Sequence, residues 1–223
     1  MAKKGLKNLI VAIDGPAGSG KSTVSKLIAG KLGLLYIDTG AMYRALTLKA
    51  MRKGVSLKDE NALARLVKTT NIELKDAGSL HVYLDEEDVS VAIRTPEVTA
   101  NVKYIAGAAA VRAEMVKLQR SLGESSGGVL EGRDIGTVVF PDAKFKFYLD
   151  ASPEIRAKRR QKDLADIGAG QDVEKIKKDI NERDASDINR SVGALKKSEN
   201  AVYIDTSDLS IDEVVAKIES YIK

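Results

Sequence analysis

Cysteine and tryptophan are absent from this chain, and histidine occurs once, at His81. Without cysteine there is no disulfide, no thiolate nucleophile and no Cys-ligated metal, a usage that fits a reducing compartment. The single histidine lies in "GSLHVYLDEEDV", whose alternation reads as a strand with His81 at the surface. The chemistry must therefore proceed without imidazole, which favours a reaction needing little general base. Aromatic residues make up only 4% of the 223, too few for a platform that stacks single-stranded nucleic acid. No apolar run approaches the ~20 residues of a membrane span. The opening "MAKKGLKNLIVAID" has the lysines of a signal peptide, but its apolar run is short and ends at Asp14. These absences lead to the expectation of a cytoplasmic protein with no nucleic-acid or membrane partner. A monomer is expected because no extended apolar surface stripe is evident.

What is present is an ordinary globular balance, 43% hydrophobic and 30% charged, with a net charge of +4. A chain of this length buries roughly 70% of its unfolded surface. The positive excess suits a pocket for polyanionic ligands.

The chain alternates buried strands with helices. "NLIVAID", "GLLYID", "GGVLEGRD", "AKFKFYLD" and "NAVYID" are apolar runs bounded by turn or charged residues, and read as buried strands. Between them lie helical patterns: "KSTVSKLIAGKL", "TGAMYRALTLKAMRKG" closing at Gly54, "SPEIRAKRRQKDLADI" and "DVEKIKKDINERDASDINR". "TPEVTANVKYIAGAAAVRAEMVKLQRSLG", with Thr95 as cap and Pro96 at its first position, is long enough for two helices broken near Gly107. The last helix, "SIDEVVAKIESYIK", opens with a capping box from Ser210 to Glu213. From 70 to 93 the rhythm changes. "NIELKD", "SLHVYLD" and "EDVSVAI" alternate, with "DAGS" and "DEED" as turns, which predicts a small antiparallel insert. The fold class is α/β: a parallel sheet of about five strands covered by helices on both faces.

"GPAGSGKST" runs from Gly15 to Thr23 between a predicted strand and a predicted helix, and Gly15 to Ser22 fits G-x-x-x-x-G-K-[ST]. Gly15, Pro16, Ala17, Gly18, Ser19 and Gly20 form a loop whose N–H groups can turn onto phosphate oxygens. The helix behind it adds its positive end. Lys21 is placed to reach the β and γ phosphates, Ser22 to ligate Mg²⁺, and Thr23 to follow them at the helix start. ATP is the expected phosphate donor. There is no N-K-x-D segment of a regulatory GTPase and no L-S-G-G-Q signature of a transporter ATPase. A small-molecule kinase is the leading class.

Further candidates lie at the ends of predicted strands, where ligands of such sheets bind. In "DTGAMYR", Thr39 suits an anion at a helix N-terminus, with Tyr43 and the planar fork of Arg44 one turn on. An ordinary N-cap with a surface arginine has the same pattern. In "EGRDIGT", Arg133 is a candidate phosphate clamp and Asp134 an acceptor for an exocyclic amine; a plain surface pair is the alternative. "RDASDINR" puts Arg183, Asp187 and Arg190 on one helix face, as a salt-bridged solvent helix also would. "RAKRR" adds Arg156, Arg159 and Arg160.

Taken together, "IDGPAGSGKST", "YIDTGAMYRA", "VSVAIRTPEV", "EGRDIGTVVFPDA", "FYLDAS" and "RDASDINR" resemble, in order and over nearly the whole chain, the bacterial cytidylate kinases. These are nucleoside monophosphate kinases acting on CMP and dCMP. The resemblance implies a P-loop core (1–38, 125–151, 195–223), a monophosphate-binding domain (39–124) holding the β insert, and a helical lid (152–190). It implies that Thr39, Arg44 and Arg133 hold the CMP phosphate, and that Arg112 and Asp134 read the cytosine edge. It gives Arg183 and Asp187 to the ribose, Arg190 to the phosphates near the transferring group, and Arg156, Arg159 and Arg160 to a lid over ATP. Three positions depart from the family pattern: Lys103 for a base-contacting serine, Ile167 for a lid lysine, and Ala194 for a proline. The same residues also fit a kinase with another acceptor, or a nucleotide switch that meets a partner through the insert.

Overall fold

Strands made mostly of apolar side chains can be covered on both faces, and here they are. The computed structural model describes residues 8–76, 80–166 and 170–222. Among them, β1 (Ile10–Asp14), β2 (Leu35–Asp38), β6 (Gly128–Gly132), β7 (Phe145–Asp150) and β8 (Val202–Asp205) form one parallel sheet in the order β2-β6-β1-β7-β8. On one face, Val24 and Ile28 of α1 (Lys21–Leu32) and Val214, Val215 and Ile218 of α8 (Ile211–Ile222) pack on Val11, Ile13, Phe147 and Leu149. On the other, α2 (Thr39–Arg52) and α5 (Ala109–Ser126) bring Met42, Leu46, Val111 and Met115 against Ala12, Ile37 and Leu130. Each such side chain contributes about 1.5–3 kcal/mol by leaving water.

The insert is antiparallel as expected: β3 (Ile72–Asp76), β4 (Leu80–Leu84) and β5 (Glu87–Asp88). Ile72, Leu74, Val82 and Leu84 are buried, the inward half of the alternation. Lys49 to Asp85, at 2.6 Å, fastens the insert to α2. The third expected strand is mostly something else. "EDVSVAI" pairs only at Glu87–Asp88, then turns into a 3₁₀ segment, Ala92–Arg94. Val89 and Ile93 are buried four residues apart, while Val91 between them is 85% exposed, a helical spacing inside an alternating sequence. A further helix has no counterpart among the sequence expectations: α3 (Glu60–Lys68), capped by Asp59 and buried through Leu63, Leu66 and Val67. The turn residues 77–79 and the Ile167 position lie outside the described residues.

The paired helical pattern before β6 resolves as α4 (Pro96–Gly107) and α5, with Thr95 accepting from the Val98 N–H at 3.4 Å. A turn of π-helix, Ile135–Val139, leads from β6 to β7. After β7, α6 (Pro153–Asp166) and α7 (Val173–Ile188) pack together through an apolar cluster of their own: Ala157, Leu164, Ile176 and Ile180.

Register places the chemistry. Asp38 pairs with Glu131, Ile13 with Glu131, and Asp14 with Gly132. The carboxyl ends of β2, β6 and β1 are therefore level, and three acidic side chains stand at one edge of the sheet below the glycine-rich loop. That edge is where ligands of open parallel sheets lie.

Candidate active site

The loop after β1 closes because Gly15 has a φ of 149°, and a Cβ there would collide with the Leu149 carbonyl of β7. Its polar groups are held internally. Ser19 Oγ donates to the Pro16 carbonyl at 3.0 Å, and Lys21 Nζ donates to the same carbonyl at 2.6 Å. Burial, and then Arg133, lower the proton affinity of Lys21 below that of an ordinary lysine. Ser22 and Thr23, at the helix start, are exposed. The Ser22 hydroxyl donates to Glu131 Oε2 at 2.9 Å, and Tyr36 donates to the other Glu131 oxygen. Burial, and then Asp38, raise the Glu131 carboxyl. Asp14 accepts from the N–H groups of Ile135 and Gly136 at 2.8 and 2.7 Å. Burial pushes it up to about 6 despite those bonds.

On the acceptor side the cap of α2 is Asp38, which accepts from Ala41 N–H at 2.8 Å. Thr39 instead donates its hydroxyl to the Glu131 carbonyl at 2.7 Å, so its side chain braces β6. Arg44 reaches Asp38 at 3.2 Å and keeps its Nε–H buried without a partner among the described residues. Arg133 donates through Nε to Asp187 Oδ2 at 2.8 Å, and Arg190 takes Asp187 Oδ1. One carboxylate thus holds two arginines. Asn189 caps α7, so Arg190 lies just past the helix rather than on its face, and reaches Asp187 from there. Arg183 has no hydrogen bond or ion pair among the described residues. Its proton affinity falls to about 10, through burial first and then Arg133, with Arg44 and Arg160 adding to the effect. Arg183 therefore lies in the field of Arg133, Arg44 and Arg160, and Lys21 in that of Arg133 and Arg183.

Arg112 and Asp134 form a buried ion pair, 5% exposed each. The Tyr43 ring lies beneath, its centroid 5.5 Å from the Arg112 Cζ. The Tyr43 hydroxyl is buried and unpartnered among the described residues, and burial pushes it up to about 12. Lys103, on exposed α4 surface, rests its ammonium over the Tyr104 ring at 5.3 Å.

The arginines of α6 divide. Arg156 is buried: Nε donates to the Ala151 carbonyl at 3.0 Å, and Nη1 to the Ala17 carbonyl at 3.1 Å and to Asp184. Arg159 donates to the Thr206 hydroxyl and carbonyl at 2.9 and 2.6 Å. Arg160 is half-buried in the field of Arg183. Sequence reasoning misses Glu131, Asp14, Tyr36 and Asp184. For the first two a signal exists: an acid closing an otherwise apolar buried strand.

A phosphate loop at the switch point of a parallel sheet, with a second crevice of arginines facing it, defines a P-loop phosphotransferase for a small phosphorylated acceptor. The Cytidylate kinase family profile matches residues 11–223. The chain is 53% identical over 213 residues to a cytidylate kinase of Desulforamulus reducens, covering 96% of each chain. It is 50% identical over 225 residues to one of Lactobacillus gasseri, covering 100% of this chain and 98% of the other. It belongs to the cytidylate kinase family. A gluconokinase from Sinorhizobium meliloti shares the fold, with a TM-score of 0.50 at 14% identity over 97% of this chain and 92% of the other.

Proposed function

We infer that this chain transfers the γ-phosphoryl group of ATP to a phosphate oxygen of CMP or dCMP, giving CDP or dCDP plus ADP, in pyrimidine nucleotide metabolism. The observation that carries the reading is the gathering of cations beside the glycine-rich loop: Arg133 and Arg183 lower the hold of Lys21 on its proton, and Arg133, Arg44 and Arg160 lower that of Arg183, which has no carboxylate bonded to it among the described residues. Phosphates of a donor and an acceptor would relieve that repulsion together.

The acceptor oxygen is ionised at neutral pH, so no base is required, in keeping with a chain whose only histidine pairs with Asp88 on the insert. Catalysis rests on alignment and charge neutralisation. Lys21 leaves the Pro16 carbonyl for the β and γ oxygens. Arg133 and Arg190, oriented by Asp187, meet the phosphates from the acceptor side, with Arg44 offering its free Nε–H. Asp187 and Arg183 border the ribose, and Arg112 with Asp134 presents one donor edge and one acceptor edge to the base. Ser22 and Glu131 fit Mg²⁺: both are hard oxygen donors, and the Ser22 hydroxyl keeps its lone pairs free while its proton goes to Glu131. Mg²⁺ held there would supply charge neutralisation to the transferring phosphates.

Residues 39–124 make the acceptor domain and 152–190 the lid, a reading supported by the separate apolar cluster of α6 and α7. No described helix is long and apolar enough to cross a membrane. We place the enzyme in the cytoplasm as a monomer.

The test is ADP release by pure protein with Mg-ATP and, separately, CMP, dCMP, UMP, AMP and shikimate. Fast turnover on CMP and dCMP, with UMP far behind, is expected. Preference for another acceptor would overturn the base assignment and keep the phosphate chemistry. ATP binding with no product on any acceptor would favour the nucleotide switch.

A further inference from the structure

The segment that follows α7 crosses the Arg112–Asp134 pair on its way to β8. Two anchors hold it. The Leu195 N–H donates to the Asp187 carbonyl at 2.8 Å, and the Gly193 carbonyl accepts from Arg190 Nη1 at 3.4 Å. Gly193 itself lies directly against the Arg112 guanidinium. Its φ of 65° is left-handed, and a Cβ there would fall inside the van der Waals envelope of Nη2, Cζ and Nε of Arg112. Arg112 has little room to withdraw. Its Nη2 is on Asp134, its Nη1 donates to the Ala106 carbonyl at 3.4 Å, and the Tyr43 ring packs against it.

We propose that Gly193 is a positioning residue for acceptor-base recognition: its missing side chain lets the segment after α7 close on Arg112 and keep it seated on Asp134. This rests on the reading of Arg112 and Asp134 as the base-facing pair. A Cβ at 193 has two outcomes, displacement of the guanidinium from Asp134 or retreat of the segment. Either one changes the donor and acceptor edges offered to the base. The donor nucleotide's cradle is untouched, because Gly193 contacts no residue of the glycine-rich loop in the bonds described.

Two effects of a substitution must be separated: backbone strain at positive φ, and collision with Arg112. Gly54 supplies the strain control, with φ 63° and nothing within 4 Å of the place a methyl group would take. The experiment is steady-state kinetics on Gly193→Ala, Gly54→Ala, Arg112→Ala and the Gly193→Ala/Arg112→Ala double variant, with KM measured for CMP and for ATP. Gly193→Ala should raise KM for CMP by about tenfold or more, with kcat and KM for ATP within about threefold. Gly54→Ala should leave all three unchanged. In the Arg112→Ala background the Gly193 substitution should add nothing, because its route of action is gone.

If Arg112→Ala raises KM for CMP and Gly193→Ala does not, the proposal falls while the base-facing pair stands. If Arg112→Ala itself leaves KM for CMP unchanged, the pair's reading falls and the proposal with it. Equal losses toward CMP and ATP that persist without Arg112 would show a structural role only, and overturn it. Should Gly193→Ala not fold, Gly193→Asn carries the same test, since asparagine tolerates positive φ but brings a Cβ. If neither folds while Gly54→Ala does, the glycine serves folding, and the proposal is overturned.

Discussion

Lys21 keeps its ammonium group on a carbonyl of its own loop, in surroundings that disfavour its charge: burial acts first, Arg133 second and Arg183 later, against Glu131 and Asp14. A triphosphate reverses that balance. The sign follows directly. In the free protein the lysine holds its proton less tightly than in water, and in the complex more tightly, so binding takes up a proton between those two conditions. Calorimetry of ATP binding at about pH 8, in buffers of differing ionisation enthalpy, should show net uptake, and Lys21→Met should abolish it. Binding with no buffer dependence in the unchanged protein would contradict the lysine's lowered affinity. Of the arginines around it, Arg133 is picked out by its place at a strand end and Arg183 by its spacing on a helix face. Glu131 and Asp14 carry a weaker signal, because one acid near the end of "VLEG" or "IVAID" also reads as the strand meeting solvent. Burial makes them functional, and burial depends on which strand lies beside which. The cap of α2 is hard to read for a related reason: Asp38 and Thr39 are both good caps, and the structure gives the role to Asp38 while the Thr39 hydroxyl bonds the Glu131 carbonyl.

At the scale of elements, strands with no polar side and helices with a cap can be read with little ambiguity. The capping box of α8 is present as expected: the Ser210 N–H donates to Glu213 Oε2 at 2.8 Å, and the Glu213 N–H to Ser210 Oγ at 3.3 Å. Ser210→Ala should cost about 1 kcal/mol. That lowers the melting temperature by roughly 2–4 °C, with kcat unchanged, since α8 lies on the face away from the acceptor crevice. A melting curve and a kinetic assay on one preparation check both halves. Shorter elements are harder. The nine residues of α3 carry three buried positions, too few for a clear period beside a loop. In the stretch from Val89 to Ile93 a strand pattern and a helical turn share the same letters, and contact with β4 chooses between them.

On the whole molecule, the cation cluster draws Lys21 from α1, Arg44 from α2, Arg160 from α6 and Arg183 from α7. If 152–190 acts as the proposed lid, donor phosphates alone would leave part of that repulsion in place, and closure would need both nucleotides. ATP hydrolysis without acceptor should then run at least about 100-fold slower than phosphoryl transfer to CMP. Phosphate release that CMP does not suppress would contradict it. The α6–α7 arm does not swing freely while this happens. Arg156 is a rigid plate fastened to the end of β7 through Ala151, to the phosphate loop through Ala17, and to α7 through Asp184. Any pull on the arm is thus delivered as tension to the peptide beside Gly18, and any distortion of the loop is felt in α7. Loop and arm behave as two jaws on one pivot pin, and the pin's flat, three-way grip is one that the single point charge of a lysine has no means to reproduce.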